Sequence, residues 1–263
     1  MNIFVFLGPS LAEADARAAL DAHYLPPVSQ GDVYRAVKAG AQAVGIIDGY
    51  FERVPAVWHK EILWALSQGV HVFGAASMGA LRAAELAPFG MTGIGRVFED
   101  YRAGVLIDDD EVTIAHGPKD LGYPATSEAM INIRATLDRA VEEDVVDMRF
   151  QARMIAAAKA TYYPLRRYES LMEQMAGEPG QASAAERFRR WLDTGRVDAK
   201  RQDALALLHE LSAFRDRCDG PFVADFHFEN TDAWAQASKR AGRQIAAAMP
   251  EELPMEAILE ELR

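Results

Sequence analysis

The segment VHVFGAASMGALRAAEL, residues 70–86, decides how the rest of the chain is read. A β-branched apolar run ends at Phe73, and Gly74, Ala75 and Ala76 follow it. One serine, Ser77, comes next, and Met78 and Gly79 then open a run of good helix formers. A strand, a turn of small residues and a helix in direct succession describe a βα unit of a parallel sheet. A hydroxyl at that junction has two uses. As a helix N-cap it accepts a backbone N–H. As a nucleophile it belongs to the elbow pattern G-x-S-x-G, in which small residues let a strained turn present the serine oxygen. Residues 75–79, AASMG, are a variant of that pattern with alanine at its first small position.

The same alternation extends upstream. NIFVFLG (2–8) is a strand apolar on both faces, and SLAEADARAALDA (10–22) follows as a helix in which Ser10 and Glu13 match a capping box. GDVYRAVKAG (31–40) is a helix capped by Asp32 and stopped by Gly40. AQAVGIID (41–48) is a second two-sided strand, ending at Asp48. VPAVWHKEILWALSQG (54–69) is a helix with Pro55 in its first turn and Gly69 at its end. Strands apolar on both faces need cover on both faces, so the spacing predicts an open, mostly parallel, Rossmann-like α/β sheet.

Beyond about residue 115 the character changes, and apolar residues recur at three and four. SEAMINIRATLDRAVEEDVV (127–146), MRFQARMIAAAKATYY (148–163), AAERFRRWLDTG (184–195), RQDALALLHELSAFRD (201–216), TDAWAQASKRAGRQIAAAM (231–249) and MEAILEELR (255–263) all have helical spacing. MAGEPGQAS (175–183) interrupts them like a linker, and FVADFHFEN (222–230) is the one strand-like piece. The expected division is an α/β core over residues 1–120 and a helical region over 121–263 packed on it.

Bulk properties narrow the function. A net charge of −11 opposes nucleic acid and anionic lipid, both of which need clustered Lys and Arg. Cys218 is the only cysteine, which suits a reducing compartment and excludes an internal disulfide. Met1 and Asn2 run straight into the first strand, without the basic leader of a signal peptide, and no apolar run is long enough to cross a bilayer. A cytoplasmic protein is expected. The phosphate-binding pattern GxxxxGK[ST] is absent, and the glycines of FGMTGIGRVF do not form GxGxxG, so no nucleotide cofactor is expected.

Ligands of open parallel sheets bind beyond the carboxyl ends of the strands. That edge gathers Gly8 and Ser10, Asp48, and the turn from Gly74 to Gly79. Helix-start amides there suit an oxyanion. A serine needs a base. His59 and Lys60 open the helix after Asp48, and Asp48 stands where it would orient one of them; both also fit a solvated helix face. Arg82 and Glu85, three apart, are an intrahelical ion pair or an anion grip. LIDDDEVTIAHG (106–117) clusters Asp108, Asp109, Asp110, Glu111 and His116, weak candidates for a metal and equally a solvated or partner-docking loop. Asp225, His227 and Glu229 alternate as the polar side of a strand would.

Together GPSL, IIDGYF, HKEILWAL, GAASMGALRAAEL, FGMTGIG and DDDEV resemble the TfuA-like family over roughly residues 1–120, most specifically from Gly74 to Leu86. The resemblance implies a partner of YcaO enzymes, which activate a peptide-backbone amide with ATP and replace its oxygen by sulfur. The TfuA-like protein would supply the sulfur or stimulate its YcaO. A common biological sulfide donor is a small ubiquitin-like carrier whose Gly-Gly terminus carries a thiocarboxylate, and releasing sulfide from it is acyl transfer. Under that reading Ser77 attacks the carbonyl, with His59 or Lys60 as base oriented by Asp48. Amides around Gly8, Ser10, Gly74, Met78 and Gly79 hold the oxyanion, while Arg82 and Glu85 line the approach. The competing reading is a non-catalytic adaptor that binds and activates YcaO, with Ser77 as a cap. A hydrolase of an unrelated amide or ester is a third, and self-association stays open.

Overall fold

A computed structural model describes residues 1–52, 54–217 and 220–248. Cys218 and the helix expected at 255–263 lie outside the described residues. Five strands, β1 (Ile3–Phe6), β2 (His23–Leu25), β3 (Ala43–Ile46), β4 (His71–Gly74) and β5 (Thr92–Gly93), form one sheet in the order β2-β1-β3-β4-β5. Every pairing is parallel. Phe6 pairs with Ile46 and Ile46 with Gly74, so the turns after β1, β3 and β4 emerge side by side at one edge. The order reverses between β1 and β3, the switch point at which doubly wound sheets open a crevice.

The helices before the acidic stretch are α1 (Glu13–Ala19), α2 (Asp32–Lys38), α3 (His59–Ser67), α4 (Met78–Leu86) and α5 (Arg96–Arg102). Then come α6 (Met130–Glu142), α7 (Met148–Ala160), α8 (Tyr168–Gly177), α9 (Ala182–Gly195), α10 (Ala199–Arg217) and α11 (Asp232–Ala248). One face of the sheet, with Phe4, Phe6, Val44, Ile46 and Val72, is buried under α2, α3, α4 and α5. On the other, Ile3, Val5, Ala43 and Phe73 pack on α1 and on α10, the latter through Ala204, Leu207, Leu208, Leu211 and Phe214. Each such leucine contributes about 1.5–3 kcal/mol on burial. A helix late in the chain thus shares with α1 the cover of one face of the early sheet. Helices α6 to α9 enclose a core of their own around Phe150, Met154, Leu171 and Phe188.

Several local expectations change. Ser10 and Glu13 form no capping box: α1 starts at Glu13 with Ala12 as N-cap, and Ser10 is drawn to Asp48 instead. Pro55 precedes α3, whose first residue is His59, because Trp58 and Glu61 make the cap. Residues 222–230 are not a strand. They run as an extended strap, with Phe222 N–H donating to Gly69 O and Phe226 edge-on to Phe89. The short strands β2 and β5 and the helix α8 carry too weak a period to stand out in the sequence.

Candidate active site

The turn from β4 to α4 is held against the sheet without slack. A Cβ on Gly79 would stand 1.7 Å from the Ile46 carbonyl oxygen, so only glycine lets α4 start directly over β3. Ala76 adopts φ +65°, a left-handed backbone that costs an alanine of order 1 kcal/mol or more. Ser77 follows as the N-cap residue of α4, 3% exposed. Its side chain makes no cap hydrogen bond, and none to any other described residue. No fully buried side-chain oxygen or nitrogen among the described residues lacks a partner, so the free hydroxyl keeps access to open space.

That space is a cavity of about 490 Å³ at the carboxyl edge of the sheet. Ser77, Asp48, Tyr50, His116, Tyr163 and Lys200 are among its lining residues. Its outer wall is the 112–123 segment, folded back as a hairpin by the His116–Ala125 bridge and the Gly117 N–H to Pro124 O bond. Across the mouth, Tyr163 donates its hydroxyl to Glu52, and burial with that carboxylate raises the phenol pKa to about 12.

Lys200 stands in the first turn of α10, 2% exposed. Its Nζ donates to Val112 O at 2.7 Å, and its backbone N–H to Asn132 Oδ1 at 3.1 Å. Burial lowers its pKa below the ordinary lysine value, and the charges of Asp48 and Asp198 only partly oppose that. A buried lysine with a lowered pKa gives up its proton more readily than an ordinary one, and a general base needs the neutral amine. A serine and such a lysine facing one cavity have the components of a Ser-Lys hydrolase site.

Asp48, 2% exposed, accepts from Gly8 N at 2.9 Å, Ser10 N at 3.0 Å and Ser10 Oγ at 2.6 Å. It therefore locks the β1 turn to the β3 turn at the switch point and sets a negative charge near Lys200. The Gly8 and Ser10 amides are committed to it, and Gly79 N donates to Ile47 O. Among the described residues the amides of Gly49 and Met78 have no acceptor. Gly49 lines the cavity and packs against the Met78 side chain, since a Cβ on Gly49 would lie 2.6 Å from Met78 Cγ. The amide following an elbow serine is the usual oxyanion donor.

The remaining residues singled out from sequence lie elsewhere. His59 and Lys60 do not line the cavity. His59 Nε2 bonds Glu85 at 2.7 Å, and Lys60 sits over the Phe228 ring. Arg82 ties α4 to the segment before α3 through Val57 O and pairs with Glu85 at 2.7 Å. Gly74 lies under the helix start, where a Cβ would meet Gly79 O. The acidic stretch is an ion-pair hub: Asp108 and Glu111 bond Lys159 at 2.9 and 3.0 Å, and Asp110 pairs with both Lys159 and Arg166. Arg134 grips Glu111 with two bonds of 2.9 Å, and Asp109 accepts Thr113 Oγ1 through its carbonyl. Among the described residues no three His, Cys, Asp or Glu side chains are grouped to hold a metal.

Lys200 was not anticipated, yet it left a trace. Positions 200, 204, 207 and 211 form the apolar stripe of α10, and a lysine occupies the first of them. A charge where a core residue belongs is a sign of function.

An open parallel α/β sheet with a serine-bearing cavity at its carboxyl edge defines the class. Residues 48–167, a stretch that holds Asp48, Ser77 and His116, match the family model of the TfuA-like protein and are similar to that family over this span. The family is associated in general with YcaO enzymes and thioamide formation. No curated protein matches the chain. Among the described residues no helix is long and apolar enough to cross a membrane.

Proposed function

We propose that this protein supplies sulfide to a YcaO partner by hydrolysing the C-terminal thiocarboxylate of a small carrier protein. The observation that carries the reading is the Ser77 hydroxyl. It has no cap bond and opens on the cavity that the buried Lys200 also lines. Ser77 Oγ attacks the thiocarboxylate carbon while Lys200 Nζ takes its proton. The Gly49 and Met78 amides receive the oxyanion, and water then cleaves the acyl-enzyme. Lys200 takes the place of His59 and Lys60 as base, because their side chains are engaged away from the cavity. The cavity suits a narrow, flexible chain end with little side-chain bulk. Exposed Tyr162 in its lining, and exposed Leu165 next in the chain to lining Pro164, suit a protein bearing that end.

The test is sulfide release from a thiocarboxylated carrier by the purified protein, without YcaO or ATP, with carrier mass followed in parallel. Wild type is expected to turn over. Ser77→Ala and Lys200→Met, each folded by circular dichroism, are expected to lose about 10³-fold or more. Turnover by Ser77→Ala at the wild-type rate overturns the hydrolase and leaves the adaptor.

A further inference from the structure

We infer that His116 is a second proton-transfer residue of the cavity, the group that protonates the departing sulfur and then activates the hydrolytic water. The inference rests on the hydrolase reading above. A thiocarboxylate is anionic, and bare sulfide dianion is a very poor leaving group. The sulfur must therefore gain a proton as the C–S bond breaks. One base can return the serine proton to the leaving group; a second titratable group open on the same cavity gives the sulfur its own donor and leaves the Lys200 proton for the departing Oγ.

His116 has the geometry for it. It lines the same cavity as Ser77 and Lys200, on the outer wall rather than beneath the sheet edge. Its Nδ1 lies 2.8 Å from Gly117 O. A carbonyl only accepts, so Nδ1 carries a hydrogen, and the neutral ring keeps its lone pair on Nε2. Nε2 has no partner among the described residues, and since no fully buried polar atom among them is left unpaired, it remains open. The ring is held edge-on to Tyr123 at 5.5 Å and tilted against Tyr50 at 6.2 Å. Both neighbours are phenols, and burial raises the Tyr123 pKa above its ordinary value. The other ionisable groups lining the cavity are Asp48, Glu52, Lys119, Tyr162, Tyr163 and Lys200. Of these, Asp48 is spent on the β1 turn, and Glu52 accepts from Tyr163.

The protons balance in two half-reactions. In the first, the Oγ–C bond forms and the C–S bond breaks. The Oγ proton goes to neutral Lys200, and protonated His116 gives the Nε2 proton to sulfur, which leaves as hydrosulfide. In the second, water attacks the acyl carbon and gives a proton to the Nε2 lone pair. Oγ departs with the proton returned by Lys200. The carrier ends as a carboxylate once its carboxyl proton is lost to solvent, and both side chains are restored.

The experiment is sulfide release from the thiocarboxylated carrier by wild type, His116→Ala and His116→Phe, each with and without added imidazole. The phenylalanine keeps a ring between Tyr50 and Tyr123, so its loss of activity reports proton transfer and not packing. Both variants are expected to fall about 10²-fold. Imidazole is expected to restore His116→Ala, whose vacated space admits it, and to leave His116→Phe and Ser77→Ala unchanged. Wild-type activity in His116→Phe, or a loss in His116→Ala that imidazole does not repair, overturns the role of His116 while the Ser77 reaction stands. A wild type that releases no sulfide overturns the hydrolase reading itself.

Discussion

At the scale of single residues, the hydroxyl of Ser77 and the amine of Lys200 are unusual for the same reason: neither does the local job its position offers. A serine at an N-cap ordinarily accepts a backbone N–H, yet Ser77 does not, and Ala76 just before it stands in the left-handed region. A lysine on an apolar helix stripe ordinarily reaches for water, yet Lys200 ends on Val112 O inside the protein. Its lowered pKa has a consequence for stability. Between that lowered value and the ordinary lysine range near 10.4, the unfolded chain binds a proton that the folded chain lacks. Stability therefore rises with pH across that window. Lys200→Met is expected to abolish this rise, read as the urea midpoint at several alkaline pH values. A wild-type midpoint that falls over the same range would show that Lys200 is charged in the fold.

At the scale of elements, helix starts are tied down by side chains from distant parts of the chain. Asp203 of α10 accepts from the Arg96 and Val97 amides and so caps α5. Glu61, 1% exposed in the first turn of α3, accepts from the Trp58 and Gly31 amides and joins α3 to α2. Burial raises the Glu61 pKa from 4.5 to about 7, the amide bonds only partly opposing it. A folded-state value above the unfolded one means that the folded protein binds the extra proton. This contribution is whole below about 4.5 and is lost as pH rises through 7. Glu61→Gln keeps an acceptor without the charge. It is expected to flatten the decline in unfolding free energy between pH 5 and pH 8, roughly 2–4 kcal/mol in the wild type and read from urea midpoints. An unchanged pH profile in the variant would assign that decline to other groups.

At the scale of the whole molecule, the cavity exists because four separate parts of the chain converge. The sheet edge supplies Asp48 and Ser77, α10 supplies Lys200, the 112–123 hairpin closes the outside, and Tyr163 stands across the mouth. That hairpin is anchored to the helical region by Arg166, whose side chain is 1% exposed. Arg166 pairs with Asp110 at 2.9 Å and donates to the carbonyls of Ala158, Thr161 and Asp110. Removing one partner of a buried ion pair costs about 3–5 kcal/mol. Arg166→Ala is therefore expected to lower stability by that much. It should also raise hydrogen exchange in 108–127 ahead of the sheet strands, because the outer wall loses its anchor first. Exchange that rises evenly over the whole chain would mean the segment has no separate anchor.

What the sequence determined by itself is the part governed by local period and local sterics. Two-sided apolar runs between helices specify a parallel sheet, and the small residues on both sides of Ser77 specify a tight turn at its edge. The resemblance around residues 74–86 follows from the same turn. What only the tertiary structure decided is the company Ser77 keeps. His59 and Lys60 are nearer in sequence, but the helix they open turns them toward Glu85 and Phe228. Lys200 arrives from the far end of the chain because the stripe of α10 must cover the sheet face left bare by α1. The acidic stretch likewise reads as a loop of free carboxylates until Lys159, Arg134 and Arg166 meet it. Spacing along a chain reports which face a side chain is on. Which groups share a cavity depends on how those faces pack, and hydrophobic burial, being non-directional, leaves that to the assembled core.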